Sequence, residues 1–300
     1  PLLDLAFHKS TEAPQLIGYL IPRSSSLGSA FLNLLNPRYD RFQGTTAGIR
    51  IEAAVGCTLA AYYVFLKTRN ALRSVAAFFA VLKIGAIAIP VFSGFGATAL
   101  ATRLDDAKAK VLFTADGTAR RGKKVAIKSE ADKALELAPS IEKVIVLKHA
   151  DIEVDWKEER DIWWHDFIAG QRDECETEVL DAEDRSIIIY TSGTTGRPKG
   201  TVHTHAGALA QVAKELGYNF DVKPESRFFW VTDIGWMMGP WEMIGVQFHG
   251  GTYMLFDGAP NYPNPDRLWE VIEEHKIDTL GISPTAIRLL LTYGEKWVKK

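Results

Sequence analysis

The chain has 300 residues, 47% hydrophobic and 24% charged, with a formal net charge of −2. That composition predicts an ordinary soluble chain with one large core or two smaller ones, and the balanced charge excludes the global field that recruits nucleic acid. Its two cysteines, Cys57 and Cys175, stand far apart with no His or Cys at metal-ligand spacing, which predicts reduced thiols and no protein-bound metal.

Residues 1–48 carry little pattern. Pro14, Pro22 and Pro37 interrupt them, Ser24, Ser25 and Ser26 read as loop, and a helix is predicted over 29–35, ended by Asn36 and Pro37. No basic stretch followed by an apolar core opens the chain, so no secretory leader is expected, and a start at Pro1 predicts a processed or truncated terminus. From residue 49 the pattern turns α/β. Leu72, Val75, Ala76, Phe79 and Leu82 recur at helical spacing over 71–84, and Gly85 stops that helix. An apolar strand is predicted over 86–91. The stretch 75–92 is broken by Lys83, Gly85 and Pro90, too often to span a membrane. A helix over 97–107, a strand over 110–114, a helix over 128–137 and a strand over 143–147 follow. The charged stretch 151–183 contains Trp156, Trp163 and Trp164. It reads as a connecting excursion with a short helix over 163–169 and a solvated acidic run over 173–178.

The apolar run Ile187, Ile188, Ile189 then leads into Tyr190-Thr191-Ser192-Gly193-Thr194-Thr195-Gly196-Arg197-Pro198-Lys199-Gly200. Glycines let backbone N–H groups approach a ligand closely, hydroxyls donate to phosphate oxygens, and Lys199 adds a mobile point charge, so the loop reads as a polyphosphate cradle. It is not a Walker loop: Arg197 and Pro198 separate Gly196 from Lys199, and Gly200 stands where a magnesium-binding hydroxyl would be. Beyond it, strands predicted over 201–204, 227–231, 251–255 and 279–282 alternate with helices over 206–216, 265–275 and 285–293, the first of these closed by Gly217. This alternation predicts an α/β fold with doubly wound, mostly parallel sheets and flanking helices. Three parts are expected: an N-terminal extension over 1–48, a first α/β subdomain over 49–180, and a second over 181–300 that carries the loop. Asp233-Ile234-Gly235-Trp236 ends a strand, placing a carboxylate and a large aromatic where open α/β sheets bind ligands. His203 and His205 alternate along a strand without a third ligand, which argues against a metal there.

The string from Tyr190 to Gly200 resembles the signature of the adenylate-forming, AMP-binding superfamily of acyl-CoA synthetases, luciferases and peptide-synthetase adenylation domains. Further segments resemble its acetyl-CoA synthetase branch: Gly85-Ala86 with Pro90-Val91-Phe92-Ser93-Gly94-Phe95, Asp116-Gly117 with Arg120-Arg121-Gly122-Lys123, Gly258-Ala259-Pro260-Asn261-Tyr262-Pro263, and Ser283-Pro284-Thr285. The resemblance covers about Gly56 to Lys300. It implies the fold of the large N-terminal domain of those enzymes, incomplete here, and a two-step reaction. A carboxylate attacks the α-phosphate of ATP to give an acyl-adenylate and pyrophosphate, and the CoA thiol then displaces AMP. Neither step needs a protein nucleophile, so positioning and charge neutralisation carry the catalysis.

Residue by residue, the resemblance implies that Thr191, Ser192, Gly193, Thr194, Thr195, Gly196 and Lys199 hold the ATP phosphates, with Lys199 and Thr194 as the catalytic pair. Trp236, Met237 and Met238 form the acyl pocket. Phe92, Ser93, Gly94 and Arg120 contact the nucleotide end of CoA; by themselves, Arg120 and Arg121 read equally as a solvated basic patch. Acetate-specific relatives carry smaller residues at the two methionine positions. A pocket separates substrates differing by one methylene by only ~1–3 kcal/mol, so the implied substrate is a short-chain acid: acetate, propionate or a hydroxy acid. ATP, CoA and Mg2+ carried mainly by the ATP phosphates are the implied small-molecule partners, in the cytoplasm, with no nucleic acid or membrane and with self-association open. The family's adenine motif, ribose-binding acid, hinge and small C-terminal domain are not found before Lys300. The chain alone is therefore expected to be inactive, each missing charge-assisted hydrogen bond being worth ~1.5–3 kcal/mol, and to leave a sheet edge open. Lys67, Thr68 and Arg69 also stand where the family carries proline. Two alternatives stay open: a nucleotide-binding module without ligase activity, and an adenylation enzyme that loads a carrier protein.

Overall fold

The computed structural model describes residues 69–171, 175–191 and 198–298. The extension over 1–48 with its helix at 29–35, Cys57, and the loop residues Ser192, Gly193, Thr194, Thr195, Gly196 and Arg197 lie outside the described residues. The first helix, α1 (Arg69–Lys83), leaves Ser74 exposed and buries its apolar residues on two sides. Val75, Phe78, Phe79 and Leu82 enter one core, whereas Ala77, Ala80 and the following Ile84 enter another. The helix thus forms a wall shared by both cores, and Gly85 ends it in the left-handed region at φ +71. The strand predicted over 86–91 does not form. The segment is held by one parallel bridge, Ala88 to Ile187, because Pro90 removes the next donor and the chain then turns.

One parallel sheet has the order β1 (Val111–Ala115), β4 (Lys143–Leu147), β5 (Asp161–Trp163). The helices α2 (Ala97–Asp106), α3 (Lys128–Leu135) and α4 (Trp164–Ile168) accompany it. Val144, Ile145 and Val146 of β4 are fully buried, as a central parallel strand requires. Strand β5 lies inside what the sequence reads as a connecting excursion. It joins the sheet because Asp161 ends its run of exposed charges in a buried ion cluster. Lys128 Nζ lies 2.8 Å from both Asp132 and Asp161, and Arg160 bonds the same two carboxylates. Between β1 and α3 stands a hairpin that sequence patterning did not indicate, β2 (Gly117–Arg120) with β3 (Lys123–Ala126). Its two-residue turn is Arg121 and Gly122 at φ 49 and 74, the positive-φ geometry that matches strand twist.

The remaining chain builds a second layer. Strands β6 (Arg185–Thr191) and β7 (Lys199–Thr204) pair antiparallel. Helix α5 (His205–Tyr218) follows, with the Thr204 hydroxyl accepting from the Gly207 N–H as its cap. It runs through Gly217, which was expected to end it: that glycine lets the His249 ring approach to where a Cβ would stand 2.9 Å away. A parallel sheet of order β10 (Thr279–Gly281), β8 (Arg227–Trp230), β9 (Thr252–Tyr253) follows. Its helices are α6 (Met238–Phe248), α7 (Arg267–His275) and α8 (Pro284–Leu291). Helix α6 escaped sequence reading because it is buried on nearly all sides, from Gly239 and Trp241 to Val246 and Gln247, and so lacks an amphipathic period. Among the described residues the architecture is α/β, with parallel sheets, flanking helices and two antiparallel hairpins. Among the described residues, no helix is long and apolar enough to cross a membrane.

Candidate active site

The glycine motif begins at the end of β6 and finishes at the start of β7, which pair antiparallel. Thr191 and Lys199 are direct cross-strand partners at its mouth, both exposed, so the first hydroxyl and the lysine of the motif face each other across the loop base. Tyr190, one residue earlier, is buried. Its hydroxyl donates to Asp106 Oδ2 at 2.7 Å, and burial together with that carboxylate pushes the phenol well above its ordinary value, keeping it protonated. The strand entering the loop is therefore pinned to the end of α2.

A second set of predicted residues meets at the end of β8. Phe92 and Trp236 pack at 5.4 Å between ring centroids, Phe95 lies 5.4 Å from Phe92, and Phe95 lies 6.2 Å from Trp236. Gly235 makes this possible: a Cβ there would stand 2.0 Å from the Phe92 backbone nitrogen. Asp233 completes the junction, accepting from Ser93 Oγ at 2.8 Å and from the Gly235 N–H at 2.8 Å. Met237 and Met238 begin α6 and pack, half-buried, against the core. Phe92, Ser93, Gly94, Arg120, Trp236, Met237 and Met238 all line one open cavity of about 1570 Å³. The predicted acyl and CoA residues thus share one space, larger than the ~300–1,000 Å³ of a common ligand site. Thr191 and Lys199 are not among the described residues that line it.

Arg120 ends β2, exposed, and its guanidinium has no partner among the described residues, which leaves its donor fork available to an anion. Arg121 is exposed and donates to Asn261 Oδ1 at 3.3 Å, and Asn261 donates to the Tyr293 hydroxyl at 2.7 Å. The base of this hairpin is set by Asp116, whose side chain is fully buried. Burial pushes its carboxyl up, but backbone N–H donors from Ala150, His149, Ile152 and Gly117 outweigh that and hold it below the ordinary range. Asp116 was visible in sequence only as part of a motif, because three of its four donors come from a remote loop.

His203 and His205 do not converge on a ligand set; burial lowers both, with Asp184 opposing it at His205. Among the described residues, no group of three His, Cys, Asp or Glu side chains could hold a metal. Two buried groups had no sequence signal. Glu242 accepts from the Trp230 N–H at 2.7 Å, and burial holds its carboxyl well above the ordinary value. Arg103 looks like a surface residue of an amphipathic helix, yet it is 7% exposed.

Residues 62–300 match the family described as AMP-binding enzyme. The acetyl-coenzyme A synthetase of Methanothrix thermoacetophila is 46% identical over 219 residues, covering 73% of this chain and 33% of that protein. That of Coprinopsis cinerea is 45% identical over 229 residues, covering 76% and 35%. In three dimensions the chain is similar to an acetoacetyl-CoA synthetase from Streptomyces lividans, with TM-score 0.68 and 28% identity, covering 76% of this chain and 34% of that one. The chain spans about a third of the length of the curated relatives it matches.

Proposed function

The chain belongs to the AMP-binding enzyme family, and on that premise we propose that it supplies the acid-binding and phosphate-binding face of an AMP-forming, short-chain acyl-CoA synthetase. The observation that carries this reading is the shared cavity in which Trp236, Met237 and Met238 stand beside Phe92, Ser93, Gly94 and Arg120. An acyl carboxylate held against Trp236 lies next to the surface from which a CoA thiol would arrive. That adjacency favours CoA over a carrier protein as acceptor.

In this reading Lys199 and the hydroxyls of Thr191, Ser192, Thr194 and Thr195 neutralise and hold the ATP phosphates, and pyrophosphate leaves along the same loop. Mg2+ carried by those phosphates would supply further charge neutralisation there. Trp236 and Phe92 exclude water from the activated acid, and Arg120 takes a phosphate of CoA through its unpaired fork. The division into subdomains over 49–180 and 181–300, meeting on α1, and a cytoplasmic setting belong to the same proposal. The test is acid-dependent exchange of pyrophosphate into ATP by the full-length protein, with acids of two to six carbons. Exchange with short acids, lost in Lys199→Ala, is the expected result. No exchange with any of these acids, or a Lys199→Ala variant as active as wild type, refutes it.

A further inference from the structure

We propose that helix α2 is a strut, and that its buried Arg103 sets the acyl-pocket tryptophan and the entry of the phosphate loop relative to each other. This rests on the acid-activating reading above. Arg103 touches one neighbour of each subsite. Its guanidinium carbon sits 4.1 Å above the centre of the Phe95 ring, and Phe95 packs on Trp236. The same carbon lies 5.7 Å from the Tyr190 ring, which precedes Thr191. Its Nη1 donates to the Ala99 carbonyl at 2.6 Å, and it pairs with no carboxylate among the described residues. From the same helix, Asp106 holds the Tyr190 hydroxyl.

A buried cation without a carboxylate is costly unless other groups replace its water. Here two aromatic faces and a backbone carbonyl do so, and each prefers one orientation of the planar guanidinium. Once that plane is set, both rings are set. The chemistry supplies the reason. A carboxylate oxygen must reach the α-phosphate within about 3–3.5 Å in line, so the acyl pocket and the phosphate loop must hold a common frame. Among the described residues, Thr191 and Lys199 do not line the cavity that Trp236 lines, and α2 connects Tyr190 to Phe95.

Arg103 is therefore a positioning residue, and pyrophosphate exchange by the full-length protein tests it. Arg103→Met keeps apolar volume and removes the planar cation; Arg103→Lys keeps the charge and removes the plane. The Michaelis constants for the acid and for MgATP are both expected to rise, about tenfold for the methionine variant if a well-buried cation–π contact is lost at each end. Arg103→Met combined with Phe95→Leu should be non-additive for the acid constant and additive for MgATP. A merely structural role would lower the folded fraction seen in melting, and with it kcat, while leaving both Michaelis constants alone. If Arg103→Met does not fold, Arg103→Lys is judged by the same constants. Wild-type exchange with both constants unchanged in the variants overturns the strut and leaves the functional reading standing. A rise confined to one substrate overturns it too, since Arg103 would then serve one subsite. Absence of exchange in the wild type removes the functional reading and the strut with it.

Discussion

Replacing Gly235 by alanine tests the junction on which the candidate site is built. The added Cβ would stand 2.0 Å from the Phe92 nitrogen, 2.3 Å from its Cα and 2.3 Å from the Val91 carbonyl carbon. Ordinary contacts between heavy atoms lie at about 3.5–4.0 Å, so the two segments must part by roughly 1.5 Å. All three obstacles are backbone, and no side-chain rotation relieves them. Overpacking alone costs about 1–3 kcal/mol, and backbone on one side places this case at the upper end. Parting the segments also breaks the bond from Ser93 to Asp233, for about 1 kcal/mol more. A shift of about 1 Å in a reacting geometry costs on the order of a hundredfold in rate. Gly235→Ala should therefore lower the urea midpoint by the equivalent of about 3–4 kcal/mol and raise the acid Michaelis constant in pyrophosphate exchange. Gly170→Ala is the control: it is strained at φ +69 but has nothing within 4 Å. It should cost only about 1–2 kcal/mol and leave the acid constant unchanged. A Gly235→Ala protein matching wild type in both measurements would refute the close approach as a structural determinant.

Three further outcomes follow from buried charge. The native carboxyl of Asp116 lies below its unfolded value, so its stabilisation is present above about pH 4 and disappears as pH falls through the native value. Asp116→Asn should therefore lose at least about 2 kcal/mol near neutrality, with the gap to wild type closing on acidification in urea titrations; a constant gap would count against the assignment. Glu242 has the opposite sign. Its native value is raised, so above about pH 4.3 the unfolded chain ionises first and stability falls by up to about 1.4 kcal/mol per pH unit until the native carboxyl ionises. Glu242→Gln keeps an acceptor for the Trp230 N–H and should flatten the stability profile from pH 5 to 8, whereas profiles parallel to wild type would contradict a neutral native carboxyl. Lys128→Met strips a fully buried cation from Asp132 and Asp161 and should cost about 3 kcal/mol, the lower end for a broken buried pair, because Arg160 still bonds both carboxylates. A melting temperature within a degree of wild type would show the cluster to be dispensable.

The glycine loop from Tyr190 to Gly200 is legible without a structure because its chemistry lies in contiguous residues, and the helical period of α1 is legible because one short window holds it. The same window could not show that α1 lies between two cores, nor that α6 is a helix, since a segment buried all round has no polar face to report its period. It also misplaced the segment over 86–91, where the apolar run promises a strand and Pro90 withdraws the donor that a ladder needs. The motif DIGW is readable, but its partnership with Phe92 and Ser93 is not: Ser93 and Asp233 are 140 positions apart, and only the crossovers of the parallel sheets bring them within 2.8 Å. Arg103 reads as solvated charge until the fold closes aromatic rings over it. Local chemistry thus carries the reading of a phosphate loop, which the sequence alone supplies. Tertiary packing decided which distant side chains stand beside Tyr190 and Trp236, because contacts between remote segments depend on strand order and backbone approach, which no short stretch of sequence contains.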